Sequence, residues 1–226
     1  MHIKPKSAGR VVLVLSAIAF FLMAATSFAA HNCVAQTSCQ QSCDGLPSLP
    51  PQSPPPRSFD DFTRRAYAGA YGRFATCDER RAEYSRLVDA ATTGTLLVEA
   101  RRFVATLFMT QASDDAQDLT TYLQTNEYQL RNPQDNTDRA SIESFIADLY
   151  RAFLQREPDP GGQCFWSNDV CSVGRKHGIR AFEESIEFGN LVNGLFDGGP
   201  PQGCPSVGGG GPCDGGRLRR PGLICP

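Results

Sequence analysis

Residues equipped for chemistry are few in this 226-residue chain. Its three histidines are His2, His31 and His177. A lone His177 beside Arg175 and Lys176 at a helix start is expected to be solvated, and no Ser or Cys has a motif marking it as a nucleophile. By residue type, His31, Cys33, Cys39 and Cys43 could hold zinc, but their spacing is irregular and the cysteine usage suits an oxidising compartment. Glu157, Asp159 and nearby carbonyls could begin a calcium loop. Pro158 and Pro160 stiffen that stretch, however, and no acidic residues follow at alternate positions. Glu183, Glu184 and Glu187 have the residue type of a glycosidase acid/base pair, yet neighbours on a helix point in different directions. The expectation is therefore a protein that is not an enzyme, with no catalytic, cofactor-binding or metal-ligating residue.

Nine cysteines remain to be explained. Cys33, Cys39 and Cys43 precede the apolar part of the chain and Cys204, Cys213 and Cys225 follow it, which predicts disulfides joining or closing the two flanks. Cys164 and Cys171 invite a local bridge, but seven residues of helix separate Cα atoms by about 10.5 Å, beyond the roughly 7 Å a disulfide tolerates. They can pair only if their helix ends near Asn168. An odd total also leaves at least one thiol free or intermolecular, expected in a flank, so a disulfide-linked oligomer is one outcome.

Compartment follows from the start of the chain. Lys4, Lys6 and Arg10 precede the apolar stretch Val11–Ala25, and Ser27 and Ala29 supply a small-x-small cleavage site, so a secretory leader is expected to end at Ala29. The competing reading is a retained anchor, since the apolar run approaches the roughly 20 residues a bilayer requires. Ala30, His31 and Asn32 before Cys33 lack the pattern for lipid attachment. Removing the leader takes three of 22 basic and none of 24 acidic residues, leaving a net charge of −5. That balance argues against nucleic acid as a partner, and the cluster Arg217, Arg219 and Arg220 is too short to reverse it. No second apolar run reaches membrane-spanning length. Secretion to the extracellular space or cell surface, or export to the periplasm, is the expected localisation.

The elements that would position these groups are helical. Residues 30–57 are rich in Ser, Gln and Pro and read as an extended spacer, and residues 197–226 read as a disordered Gly/Pro/Cys-rich tail. Between them the apolar period is that of helices throughout. Ser58 with Asp61, and Thr76 with Glu79, have capping spacings that predict one helix after Ser58 and another from Thr76 to Gly94. Further helices are expected over Thr95–Gln111, Asp114–Leu130 (with Leu119, Tyr122 and Leu123 as contacts) and Arg139–Gln155. Asp159 is expected to cap a short helix containing Phe165 and Trp166, with Pro160 at its first position. The last helix is expected over Gly174–Leu195, burying Ile179, Phe182, Ile186, Val192 and Leu195. The fold class is all-α: a helical bundle of two related three-helix units, 58–131 and 138–196, between disordered flanks.

The relation between the units rests on Phe62, Tyr67 and Arg73 matching Phe145, Tyr150 and Arg156 at an offset of 83; Tyr84 and Val88 match Trp166 and Val170 at 82, and Phe108 matches Phe188 at 80. Within the second unit, Tyr150, then Arg156-Glu157-Pro158-Asp159, Gly162, Trp166 and finally Phe182, Ser185, Glu187 and Phe188 resemble the DUF4214 family of bacterial exported and surface proteins, over about residues 144–195. Departures fall at Gln155 and Gln163, where that family usually has Gly and Leu. The resemblance implies a helical module similar to phycobilisome linker domains, with no established catalytic residues. Arg156 is expected to reach Glu187, and Trp166 to lie against Tyr150, Phe182 and Phe188. The function expected is a noncatalytic interaction or surface-organising module whose partner is an extracellular or envelope protein or a glycan. Glycan or matrix binding through Tyr67, Tyr71, Tyr84 and Trp166 is the alternative, and an extracellular hydrolase is third.

Overall fold

The structure, a computed structural model, describes residues 39–47, 54–133 and 138–204. The expected leader and the tail from residue 205 lie outside them. Nine α-helices and one π-helical turn make up the described residues, with two isolated bridges as the only β pairing among them. None of these helices is long and apolar enough to cross a membrane.

Local capping explains the first unit. Ser58 Oγ accepts the Asp61 N–H and starts α1 (Phe59–Tyr71). Thr76 and Glu79 form a reciprocal capping box on α2 (Cys77–Thr93), which ends on left-handed Gly94. Helix α3 (Leu96–Phe108) stops earlier than expected because Met109 turns extended and bridges Gln124. The Asp114–Leu130 helix does not form. In its place are α4 (Gln111–Asp115), an irregular stretch, and α5 (Asn126–Arg131). Side chains divert the backbone there: Ser113 Oγ donates to the Thr121 carbonyl and accepts the Leu123 N–H, and Asp118 accepts the Thr120 N–H. Leu119 and Leu123, expected as contacts, are exposed.

In the second unit, Asp138 caps α6 (Arg139–Leu149), whose winding widens into a π-helical turn at Tyr150–Leu154. Helix α7 (Pro160–Val173) is longer than expected and runs past Asn168, which keeps Cys164 and Cys171 apart. The single last helix is two, α8 (Arg175–Glu183) and α9 (Ile186–Asn193), because Ser185 Oγ accepts the Phe188 N–H and restarts the winding. This break turns Phe188 and Val192 into the core and leaves Ile186, expected inside, 82% exposed.

The two units meet where α1 crosses the π-helical turn. Gly69 lies against Ala152 so closely that an added Cβ would sit 2.5 Å from the Ala152 nitrogen. The offset of 83 equates these two residues. It also equates Gly72 with Gln155, both left-handed at φ 66° and 58°, and Thr76 with Asp159, both N-caps. Contacts across the crossing are reciprocal: Phe62 packs on Phe188 at 6.3 Å while its equivalent Phe145 packs on Phe108, the equivalent of Phe188, at 6.2 Å. Self-contact at equivalent positions, with paired contacts around it, is the pattern of a two-fold arrangement.

The flanks correct two expectations. Among the described residues no disulfide links flank to flank: Cys39 pairs with Cys171, Cys43 with Cys164 and Cys77 with Cys204. Residues 39–47 therefore form a strap on α7 instead of a free spacer, with Gln41 and Asn168 exchanging two hydrogen bonds and the Gly161 N–H donating to the Pro47 carbonyl. The start of the C-terminal segment lies on the first unit, where Phe196 pairs with Ser58, Tyr84 bonds Asp197 and Arg80 donates to the Gln202 carbonyl. Each flank is stapled to a helix because the partner thiols lie on α2 and α7, not on the opposite flank.

Candidate functional site

The conspicuous residues of the second unit converge on the junction between the π-helical turn, α7, α8 and α9. Gln155 ends the turn in a left-handed conformation, which glycine adopts more readily, and its side-chain amide donates to the carbonyls of Phe62 and Ala152. Arg156 then makes two parallel bonds to Glu187, 2.6 and 2.9 Å, and lies 4.8 Å over the Tyr150 ring. Asp159 Oδ1 accepts the Gly162 N–H at 2.8 Å and caps α7. Gly162 is needed because an added Cβ would sit 2.3 Å from the Tyr150 hydroxyl. Trp166 packs on Phe182 at 5.2 Å, and Phe182 on Tyr150 at 5.0 Å; Phe188 instead meets Phe62 and Phe153. Gln163 is half-buried and donates to the Glu143 carbonyl.

The charged groups of this junction pair with one another, whereas the buried Gln155 Oε1 has no hydrogen-bond partner. Both oxygens of Glu187 face Arg156, and Glu157, the first residue of the calcium-loop reading, is bound by Arg151 at 2.8 Å. In the zinc reading, two of the three thiols, Cys39 and Cys43, are consumed by disulfides. The first unit carries a matching device: Arg73 binds Glu79 and Glu127 and lies 5.3 Å over Tyr67. There the Arg73 guanidinium holds the Glu79 carboxyl down at about 2.

Residues 121–192 match the model of DUF4214, a domain of unknown function. No curated protein and no solved structure matches the chain. The match begins ahead of α5, earlier than residue 144, and takes in residues that pack on α6. Tyr128 and Arg131 of α5, with Asn132 just beyond it, surround Asp148 of α6, which is 1% exposed and bonded to the Tyr128 hydroxyl, the Asn132 amide and Arg131. Burial pushes the Asp148 carboxyl up, against the pull of Arg131 and Arg151. Sequence reading missed this cluster; the available signal was an acidic residue inside the apolar run Phe145–Phe153.

The residues flanking His177 carry charge into the interior. Arg175 and Lys176 are buried, the first over Phe145 at 4.8 Å and bonded to Ser141, the second donating to the carbonyls of Ala116 and Asp118. His177 pairs with Asp169 at 3.1 Å. Of the three carboxylates weighed as acid/base groups, Glu184 and Glu187 are exposed and Glu183 is buried. Glu83 of α2 is a further buried carboxyl, pushed up by burial. Tyr67 is buried, while Tyr71, Tyr84 and Trp166 pack partly buried against the core.

Proposed function

We propose that this chain is an exported, noncatalytic helical module presenting a rigid surface to a protein partner in the cell envelope or the surrounding medium. The observation that carries this reading is the set of three disulfides, each spanning 121 to 132 residues and pinning a flank to a helix. Such bridges persist in oxidising compartments. The saturated Arg156–Glu187 junction supports a noncatalytic role, because its charged groups already serve one another. Two experiments test the reading. Intact mass of secreted protein should give a mature terminus at Ala30, whereas full-length protein held in the membrane fraction would favour the anchor. Capture from the producing cell's envelope and medium should then return a protein partner, and turnover by the purified protein on a hydrolase panel would sink the noncatalytic reading.

A second reading, glycan binding, draws on Phe165, which is exposed and 5.1 Å from partly buried Trp166. Aromatic faces of this kind carry sugar rings. A glycan array with wild type and Phe165→Ala distinguishes the two readings.

A further inference from the structure

A groove of about 490 Å³ between α3 and α8 contains one buried carboxylate that the proposed role does not use. Glu183, the last residue of α8, is 4% exposed. Its carbonyl accepts Arg101 Nε from α3 at 2.8 Å, and its carboxylate accepts Arg180 Nη1 at 2.8 Å. Arg180 Nη2 donates to the carbonyl and carboxylate oxygens of Asp114 on α4, both at 2.7 Å. One guanidinium therefore spans two carboxylates and ties α8 to α4. The other charged groups facing this seam are Glu99 and Arg102 on α3, Asp115 on α4 and Glu184 beyond α8. Lys176 and His177 line the adjoining depression along α8.

We propose that Glu183 is a proton-operated latch on the α3–α4–α8 seam: uncharged in acidic medium, it leaves Arg180 to Asp114 and the seam holds, whereas charged in alkaline medium, it places a second poorly hydrated carboxylate there and the seam loosens. The proton exchanges with solvent. Burial pushes the Glu183 carboxyl up to about 7; Arg180 pulls it down and Asp114 adds to the rise. An acid raised above its ordinary 4.5 takes up a proton on folding, so its stabilising effect is complete below pH 4.5 and is lost as pH rises through about 7. The seam joins the stretch after α3 to the second unit, so the latch sets how firmly the units hold together there.

The test uses the full chain. Carboxyl-carbon NMR should give a Glu183 midpoint near neutrality, moved toward acid in Asp114→Asn. Amide exchange over residues 111–115, corrected for intrinsic rate, should be several-fold faster at pH 8.5 than at pH 5.5 in wild type, and this ratio should shrink several-fold in Glu183→Gln, whose amide mimics the protonated acid. The buried carboxyls of Glu83 and Asp148 are common to both proteins and cancel in the comparison. A midpoint in the ordinary carboxylate range, or a Glu183→Gln protein that keeps the wild-type pH dependence, overturns the latch.

Discussion

Arg73 and Arg156 occupy equivalent positions in the two units, and each guanidinium lies over a tyrosine and binds carboxylates beyond the helix that precedes it. For Arg73 this has a consequence in acid. Because Glu79 is held at about 2, below its ordinary 4.5, the stability it contributes is present above pH 4.5 and is lost as pH falls through about 2. Arg73→Met should flatten the acid limb of a melting-temperature profile between those values; an unchanged limb would show that Glu79 does not contribute to it. At the second junction, removing the α7 cap with Asp159→Ala should cost about 1 kcal/mol. Trp166→Ala should cost about 3 kcal/mol, the low end for a core aromatic because Trp166 is only partly buried. Thermal unfolding followed by circular dichroism measures both. Added calcium should leave the wild-type melting temperature unchanged, since Glu157 is held by Arg151 and Asp159 by the Gly162 N–H.

The decisive contact between elements is the crossing of α1 over the π-helical turn, and Gly69 permits it. A methyl group there meets main-chain atoms of Arg151 and Ala152 at 2.5 to 2.9 Å, which no rotamer change relieves. Gly69→Ala should therefore push the units apart and cost about 1–3 kcal/mol despite alanine's better helix propensity. A denaturant midpoint equal to or above that of wild type would contradict the close crossing. Helix starts were legible in the sequence where a cap is local, as at Ser58, Thr76 and Asp159, because a side chain reaching a backbone N–H three residues on needs no tertiary partner. The break at Met109 was not legible, whereas the one at Ser185 carries the same local cap signal and was passed over because the apolar period continued through it. Met109 extends because Gln124 pairs with it, and the turn at Ser185 places Phe188 against Phe62 of the other unit.

For the whole molecule, three bridges close most of the chain into covalent loops. Removing Cys77–Cys204 with a Cys204→Ser, Cys77→Ser pair should cost about 2–4 kcal/mol, read as a lower denaturant midpoint under non-reducing conditions. The bridges use six of nine cysteines, leaving Cys33, Cys213 and Cys225. Non-reducing mass analysis should thus find one or three free thiols per chain, or a covalent dimer; a monomer with no reactive thiol and no thiol adduct would refute this pairing. Which thiols meet was hidden because Cys39 finds its partner 132 residues away, through packing of a strap on α7 that no local pattern encodes. The buried Asp148 and Glu183 clusters were hidden for the same reason, since each draws its partners from separate helices. The sequence by itself determined the helical class, the local caps and the resemblance to DUF4214, all written in residues a turn or two apart. The tertiary structure alone decided the crossing at Gly69, the extended turn at Met109 and the strapped flanks, because these depend on which distant surfaces exclude water together.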